Sequence, residues 1–304
     1  MPDLSIQLLP GLKLKNPVIA ASGTAGYGDE PNRLCDIADL GAFVCKGTTL
    51  KPRAGNPQPR IMETPYGLLN AIGLQNPGVE AVIEKYAPLW AGWTTPIFVN
   101  IAAESVDEYA KLAHRLDKVP GIAALEVNIS CPNVAAGCLE FGSTPESAAA
   151  VTRAVKNATS LPVIVKLTPN TSDIVALAQA VESAGADAVS LINTLRGMAI
   201  DIKKRKPVLG NITGGLSGSA VKPVALAMVY RVAGAVKVPV IGCGGITTGE
   251  DAIEFLMAGA TAVEVGTAAL VNPRAPIEIV KSIENYMLEW KLTEMSQLIG
   301  AARR

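Results

Sequence analysis

Short apolar runs that end in small polar residues recur eight times along the chain. They are rich in Val, Ile and Ala and cover residues 17–23, 42–48, 96–101, 123–130, 162–168, 186–194, 238–245 and 261–267. Amphipathic stretches with helical spacing lie between most of them, at residues 80–90, 106–116, 145–158, 172–184, 222–235 and 249–258, and a last one follows at 276–290. Apolar strands that alternate with helices are typical of a parallel sheet covered on both faces. Eight such units predict an α/β fold, a closed (β/α)8 TIM barrel, with a doubly wound open sheet as the alternative.

Three additions extend this pattern, and they cover residues 4–8 with 12–15, 49–76 and 196–215. The first contains the turn signal Pro10-Gly11 and predicts an N-terminal hairpin. The other two follow strand ends, so we expect inserted loops over the C-terminal mouth of the barrel. We interpret the basic run at 203–206 as a solvated face. No interdomain linker is visible, and residues 1–304 are predicted to form a single domain.

Composition excludes several classes of function. Lys+Arg and Asp+Glu balance at 27 each, so no basic field favours nucleic acid or an anionic membrane. No signal peptide is visible in the first fifteen residues and no apolar stretch is long enough to span a bilayer, so we expect a cytoplasmic protein. The single histidine, His114, argues against a Ser-His-Asp triad and against multi-histidine metal sites. The five cysteines form no CxxC pair, and no metal site is predicted.

Polar residues stand at equivalent places near the ends of the predicted strands. In a barrel these positions converge on one mouth, and here they are Ser22, Lys46, Asn100, Asn128, Lys166 and Asn193. The last two strands end in Gly244-Gly245 and Gly266-Thr267, where barrels commonly bind phosphate, although glycine also serves tight helix–strand packing. A barrel mouth that is rich in amide side chains and has a phosphate-binding site suits flavin mononucleotide (FMN). A phosphosugar lyase or isomerase, with Lys46 or Lys166 forming a Schiff base, is the alternative from another class.

Cys131 lies just past a strand end in the stretch Asn128-Ile129-Ser130-Cys131-Pro132-Asn133. By itself it could equally be a buried structural thiol. The stretch, however, resembles the catalytic motif of class 1 dihydroorotate dehydrogenases. Further matching segments extend the resemblance over nearly the whole chain, at residues 21–23, 46–47, 70–76, 165–170, 192–194, 214–218 and 242–245.

The segments at 70–78 and 191–202 look most like the class 1B catalytic subunit. That resemblance implies oxidation of dihydroorotate to orotate in de novo pyrimidine (UMP) biosynthesis. Cys131 would be the general base at C5 while hydride leaves C6 for FMN. A partner subunit carrying FAD and a [2Fe–2S] cluster would pass the electrons to NAD, and a homodimer within a heterotetramer is implied. A dihydropyrimidine dehydrogenase-type flavoenzyme is the neighbouring alternative, disfavoured because that family typically has His at the position of Asn133.

The resemblance also assigns site residues. The substrate is expected at Lys46, Asn70, Ala71, Ile72, Gly73, Leu74, Asn128, Asn133, Asn193 and Thr194. The FMN is expected at Ser22, Lys46, Gly47, Asn100, Asn128, Lys166, Ile192, Gly218, Gly244, Gly245, Gly266 and Thr267. By strand alternation, Glu126 and Glu264 point the same way as Asn128 and Gly266, and we interpret them as paired structural charges deeper in the barrel.

Overall fold

The computed structural model describes residues 1–28, 37–130 and 141–303. Strands and helices are numbered along the chain. The chain begins with an antiparallel hairpin of β1 (Ile6–Leu9) and β2 (Leu12–Leu14). The hairpin turns at Gly11, whose φ of +74° is a conformation that favours glycine. The predicted N-terminal hairpin is therefore confirmed.

Eight parallel strands close into a barrel in which neighbours in space are also neighbours in chain order. The barrel strands are β3 (Val18–Ala20), β4 (Ala42–Val44), β7 (Ile97–Ile101), β8 (Ala124–Asn128), β9 (Val163–Lys166), β10 (Ala188–Leu191), β15 (Val240–Cys243) and β16 (Ala262–Val265). Nearly every residue of these strands is buried, which explains their near-continuous apolar sequence. Because β16 pairs with β3, the barrel prediction is confirmed and the open-sheet alternative is wrong.

Helices follow most barrel strands and cover the barrel. They are α1 (Val79–Ala81), α2 (Ala87–Trp90), α3 (Val106–Leu116), α4 (Pro145–Ala158), α5 (Ile174–Ser183), α6 (Lys222–Ala233), α7 (Gly249–Met257), α8 (Thr267–Val271) and α9 (Ala275–Glu289), and π-helical residues Val82–Tyr86 join the first two. Short 3-10 helices cover Ile37–Asp39, Ser219–Val221, Met295–Gln297 and Ala301–Arg303. Side chains of Ser105, Thr144 and Thr248 accept backbone N–H bonds at the starts of α3, α4 and α7. The seven predicted helices are confirmed, whereas the short α8 was not predicted.

The sequence predicted loops for the two long insertions, but in the structure both of them form strands. They contribute four antiparallel strands in the order β11 (Leu195–Met198), β14 (Thr213–Ser217), β6 (Gly67–Asn70) and β5 (Ile61–Thr64), which we name the mouth sheet. A second hairpin joins β12 (Ile200–Asp201) to β13 (Lys206–Pro207) and carries the basic run, which is exposed as predicted. The central pair of the mouth sheet joins segments about 145 residues apart, from Asn70 to Gly215. Such long-range pairing leaves little trace in a local sequence pattern.

One large apolar core fills the space between the barrel and its helices. The hairpin contributes to it through Leu8 and Leu14, which are almost fully buried. Across the described ranges, every helix is too short or too polar to cross a lipid bilayer.

Charged side chains are also buried inside the barrel. Lys166, at the end of β9, places Nζ 2.6 Å from Glu264 Oε2 and 3.3 Å from Glu126 Oε1. Each of the three residues is at most 4% exposed. Burial alone would lower the pKa of Lys166, but the charges of Glu126 and Glu264 raise it well above its usual value. Lys166 is thus a permanent cation, and the two buried carboxyl groups share it as their charged partner.

Replacing Lys166 by methionine should strongly destabilise the fold, because two buried carboxyl groups lose their cation. We expect the free energy of unfolding to fall by about 3–5 kcal/mol at neutral pH. Carboxyl groups without Lys166 would have folded-state pKa values above their unfolded values, so the variant should be closest to wild type near pH 5 and lose stability as pH rises to about 8. Thermal unfolding at both pH values measures this.

The matched control is Lys111→Met. Lys111 pairs with Asp107 at 2.6 Å on the exposed face of α3, so its replacement should leave the melting temperature almost unchanged. A Lys166→Met protein as stable as wild type at both pH values would contradict the assigned role.

Candidate active site

A cavity opens where the carboxyl ends of the barrel strands meet the mouth sheet. Counted together with the solvent at its entrance, it measures about 1400 Å³. The barrel contributes residues from the ends of its strands, and the mouth sheet contributes Ile61, Leu68, Leu216 and Ser217. The inserted segments therefore do lie over the mouth, as predicted, and form one wall of the cavity.

Nearly all of the predicted site residues come together here. Those lining the cavity are Ser22, Lys46, Gly47, Asn70, Ile72, Gly73, Leu74, Asn100, Asn128, Lys166, Ile192, Asn193, Thr194, Gly218, Gly244, Gly245, Gly266 and Thr267. Cys131 and Asn133 lie outside the described residues, so their assignments stay predictions.

Ala71 is not among the cavity-lining residues. Its side chain is fully buried in a small cluster with Leu69 and Leu209. Its N–H donates to the carbonyl oxygen of Arg60 at 2.8 Å, and its carbonyl accepts from Asn56 Nδ2 at 3.1 Å. Because both backbone groups are already bonded and the side chain faces this cluster, the predicted substrate contact of Ala71 lacks structural support.

The glycine pair after β15 forms a tight turn beside α6. Gly244 and Gly245 have φ values of +124° and +77°, in the region that favours glycine. A Cβ on Gly245 would lie 2.6 Å from the backbone nitrogen of Lys222, so close packing also requires glycine there. Among the described residues, the N–H groups of Gly244 and Gly245 donate to no acceptor. The turn thus combines tight packing with donors that an anion such as phosphate could use.

Asn100, at the end region of β7, carries an unsatisfied acceptor. Its Nδ2 donates to Glu126 Oε2 at 2.6 Å, which fixes the orientation of the amide. Its Oδ1 is buried and has no hydrogen-bond partner in the described part of the chain. A buried acceptor without a partner is costly, so a ligand N–H in the cavity would stabilise this arrangement.

Two further amides are held by a network around Ser130. Asn193 Nδ2 donates to Ser130 Oγ at 2.8 Å and to Asn128 Oδ1 at 3.2 Å. The backbone N–H of Ser130 also donates to Asn128 Oδ1, and the buried Tyr109 hydroxyl donates to the Asn128 carbonyl at 2.7 Å. The bonds from Ser130 and Asn193 engage Oδ1, the acceptor of the Asn128 side chain, whereas the Tyr109 bond goes to its backbone, so the Nδ2 donor remains for a ligand.

The two strand-end lysines have different electrostatic environments. Burial and the charge of Arg60 lower the pKa of Lys46, which has no carboxylate partner among the described residues. A partly buried cation without a counterion is suited to binding an anionic group. Lys166, by contrast, is paired with two carboxyl groups and stays protonated. A protonated amine is not a nucleophile, which disfavours the Schiff-base alternative at Lys166.

Sequence reasoning missed several residues of the cavity wall. Glu264 was expected deeper in the barrel, yet it lines the cavity together with Cys243. Ser217 was not assigned, although it lies within the glycine-rich stretch 214–218, and its Oγ accepts from Thr267 Oγ1 at 2.8 Å. This bond ties the mouth sheet to the end of β16. The sequence did contain a signal for Glu264. Residues two apart in a strand face the same side, so Glu264 faces the same side of β16 as the predicted site residue Gly266.

Comparison with known proteins identifies close relatives. The family model described as dihydroorotate dehydrogenase matches residues 5–287. The catalytic subunit of dihydroorotate dehydrogenase B (NAD(+)) from Trichlorobacter lovleyi is 58% identical over 300 residues, covering 99% of this chain and 98% of that protein. The same subunit from Desulforudis audaxviator is 57% identical over 296 residues, covering 97% and 96% respectively.

A solved structure gives an independent comparison of the fold. The dihydroorotate dehydrogenase of Eimeria tenella, in complex with ferulenol, matches with a TM-score of 0.84 and covers 100% of this chain and 89% of that chain. At 23% identity this likeness demonstrates the shared fold alone. The sequence relatives, however, confirm the predicted resemblance to class 1B catalytic subunits. This chain therefore belongs to the dihydroorotate dehydrogenase family.

Proposed function

We propose that this chain oxidises dihydroorotate to orotate in pyrimidine biosynthesis, with FMN bound in the barrel mouth. The observation that carries the proposal is the convergence of the predicted phosphate, ring and substrate residues on one cavity. The whole barrel acts as a single FMN-binding domain.

The residues present fit FMN in two respects. The N–H groups of Gly244 and Gly245 are available to the phosphate, with Gly266 and Thr267 beside them in the cavity wall. The unsatisfied Asn100 Oδ1 offers an acceptor for a ring N–H. The remaining flavin contacts are assigned to Ser22, Gly47, Asn128, Lys166, Ile192 and Gly218. When bound, FMN supplies the two-electron acceptor for the hydride that leaves C6 of dihydroorotate.

The substrate site lies at the same mouth. Lys46, without a carboxylate partner in the described structure, is suited to the substrate carboxylate, and Asn70 and Thr194 stand beside it in the cavity wall. Asn128 and Asn193, fixed by the Ser130 network, orient the ring amides. Cys131 removes the proton from C5 as general base, a role assigned through the resemblance of its motif. Loss of this proton and of the C6 hydride together converts dihydroorotate to orotate.

The electron acceptor is NAD, reached through a partner subunit that carries FAD and a [2Fe–2S] cluster. Support comes from the relatives, whose names describe NAD(+)-linked catalytic subunits. We further propose a homodimer within a heterotetramer. A cytoplasmic location is supported by Cys45 and Cys243, which are free thiols, as is usual in a reducing compartment.

Anaerobic mixing with dihydroorotate tests the activity directly. The purified protein should be yellow, and dihydroorotate should bleach its flavin absorbance, because hydride transfer reduces the ring. Dihydrouracil, which lacks the carboxylate, is the matched control and should bleach it far more slowly. A colourless protein that takes up no FMN would contradict the proposal, and so would faster bleaching by dihydrouracil.

Cys131→Ala should retain FMN and lose flavin reduction by a factor on the order of 10²–10⁴, the usual contribution of a general base. Stopped-flow absorbance measures the rate. In the wild type the rate should rise with pH toward the pKa of an ordinary thiol, about 8.5, because the thiolate is the base. Cys138→Ala, from the same part of the sequence, should reduce its flavin at the wild-type rate. Near-normal reduction in Cys131→Ala would remove this residue from the mechanism.

The chain without a partner should reduce its own FMN but reduce NAD poorly. The reason is that its proposed route to NAD requires the FAD and iron–sulfur groups of a second polypeptide. Formation of NADH, followed by absorbance, is compared with reduction of a small artificial dye, which needs no partner. Efficient NADH formation by this chain alone would refute the partner assignment while leaving dihydroorotate oxidation intact.

A further inference from the structure

The charge cluster at the base of the cavity has one more carboxyl group than it has cations. Lys166 and Glu264 both line the cavity, and Glu126 lies behind them with 0% exposure. With every group ionised, the cluster would hold a net negative charge inside the barrel. An uncompensated buried charge is strongly unfavourable, so one carboxyl group is expected to hold a proton.

Hydrogen bonding distinguishes the two carboxyl groups. Glu126 accepts from Asn100 Nδ2 at 2.6 Å, Ser190 Oγ at 3.0 Å and Lys166 Nζ at 3.3 Å, so three donors stabilise its ionised form. For Glu264 the charged donor is Lys166 alone, at 2.6 Å. More donors therefore stabilise the ionised form of Glu126 than that of Glu264, and Glu264 is the carboxyl group expected to hold the proton.

The neighbouring strands add no second cation. On β15, Cys243 lines the cavity together with Glu264, and burial raises the pKa of its thiol to about 12, so it stays neutral. On β3, the facing residues Val18–Ala20 are apolar. Cys45, which interacts with Glu126, is likewise kept neutral by burial. The charge of the cluster is therefore determined by Lys166, Glu126 and Glu264.

The pKa shifts agree with this hydrogen-bonding pattern. Burial opposes ionisation of Glu126, but Lys166 and the hydrogen bonds it accepts lower its pKa below the usual value. Burial and the charge of Glu126 raise the pKa of Glu264 to about 8.

We infer that Glu264 is a neutral carboxylic acid when FMN binds and that its protonation state sets the charge which the cavity presents to the flavin. The inference rests on the proposed function only in taking FMN as the occupant. With Glu264 protonated, Lys166 and Glu126 cancel and the base of the cavity is neutral. Ionisation of Glu264 adds a negative charge there, which repels the electron-rich ring oxygens and the phosphate of FMN. Glu264 thus tunes cofactor binding through the net charge of the cluster.

The test is FMN binding to the apoprotein as a function of pH, followed by quenching of flavin fluorescence. Between pH about 7 and about 9.5, above the titration of the phosphate itself, the wild-type Kd should rise on the order of tenfold. Glu264→Gln mimics the neutral acid, since its amide is uncharged and its oxygen can still accept from Lys166. Its Kd should equal that of the wild type at pH about 7 and stay flat at higher pH. Glu289→Gln, at the exposed end of α9, should keep the wild-type profile.

Two binding results would overturn the inference: a Glu264→Gln profile with the same rise as the wild type, or a wild-type Kd that does not change with pH. If Glu264→Gln does not fold, infrared spectra of the wild type with labelled glutamate decide. A protonated glutamic acid carbonyl band that disappears as pH rises through about 8 supports the inference, and its absence at neutral pH overturns it.

These readouts separate the inference from the proposed function. A protein that binds FMN with this pH dependence but is not bleached by dihydroorotate retains the Glu264 assignment and loses the proposed reaction. A protein that is bleached by dihydroorotate but lacks the protonated acid retains the reaction and loses the Glu264 assignment.

Discussion

The buried ammonium group of Lys166 is the constraint on which barrel and cavity both depend. It binds Glu126 and Glu264, and Glu126 in turn accepts from Asn100 and Ser190, so five of the eight barrel strands meet in one polar network. A buried ion tolerates little displacement of its partners, because the loss of any one of them leaves charge uncompensated in a low-dielectric interior. The network therefore fixes the relative positions of these strands at the depth where the cavity begins.

The upper wall of the cavity depends on close backbone approach instead. Gly215 in the mouth sheet pairs with Asn70, and a Cβ on Gly215 would lie 2.0 Å from Thr194 Oγ1. Glycine at this position lets the mouth sheet pack directly on the segment that follows β10. Asn70 and Thr194, far apart in sequence, thus reach the same cavity. The polar base and the close-packed upper wall together make a site that neither the barrel nor the insertions could form alone.

The barrel could be predicted from the sequence because its strands are buried on both faces and read as continuous apolar runs. The mouth sheet could not, since its pairing joins distant segments whose local pattern resembles loops. Strand ends predicted most cavity residues, because parallel strands present their carboxyl ends together. The predicted substrate contact of Ala71 lacks structural support, because hydrogen bonds to Arg60 and Asn56 already engage its backbone. These bonds are tertiary, so a local sequence pattern does not reveal them. The charge imbalance around Glu264 was equally hidden, since it depends on three strands meeting.

Lys46 and Lys166 illustrate why equivalent sequence positions need not have equivalent roles. Both stand at or just past strand ends and line the same cavity. Lys166 is neutralised by its carboxyl partners within the protein, so it contributes little net charge by itself. The net charge around it depends on whether those carboxyl groups are protonated. Lys46 has no such partner in the described structure, so its charge remains available to a ligand. An anionic substrate is therefore expected to be attracted by Lys46, while the neutral base of the cavity accommodates a ring whose electron count changes during the reaction.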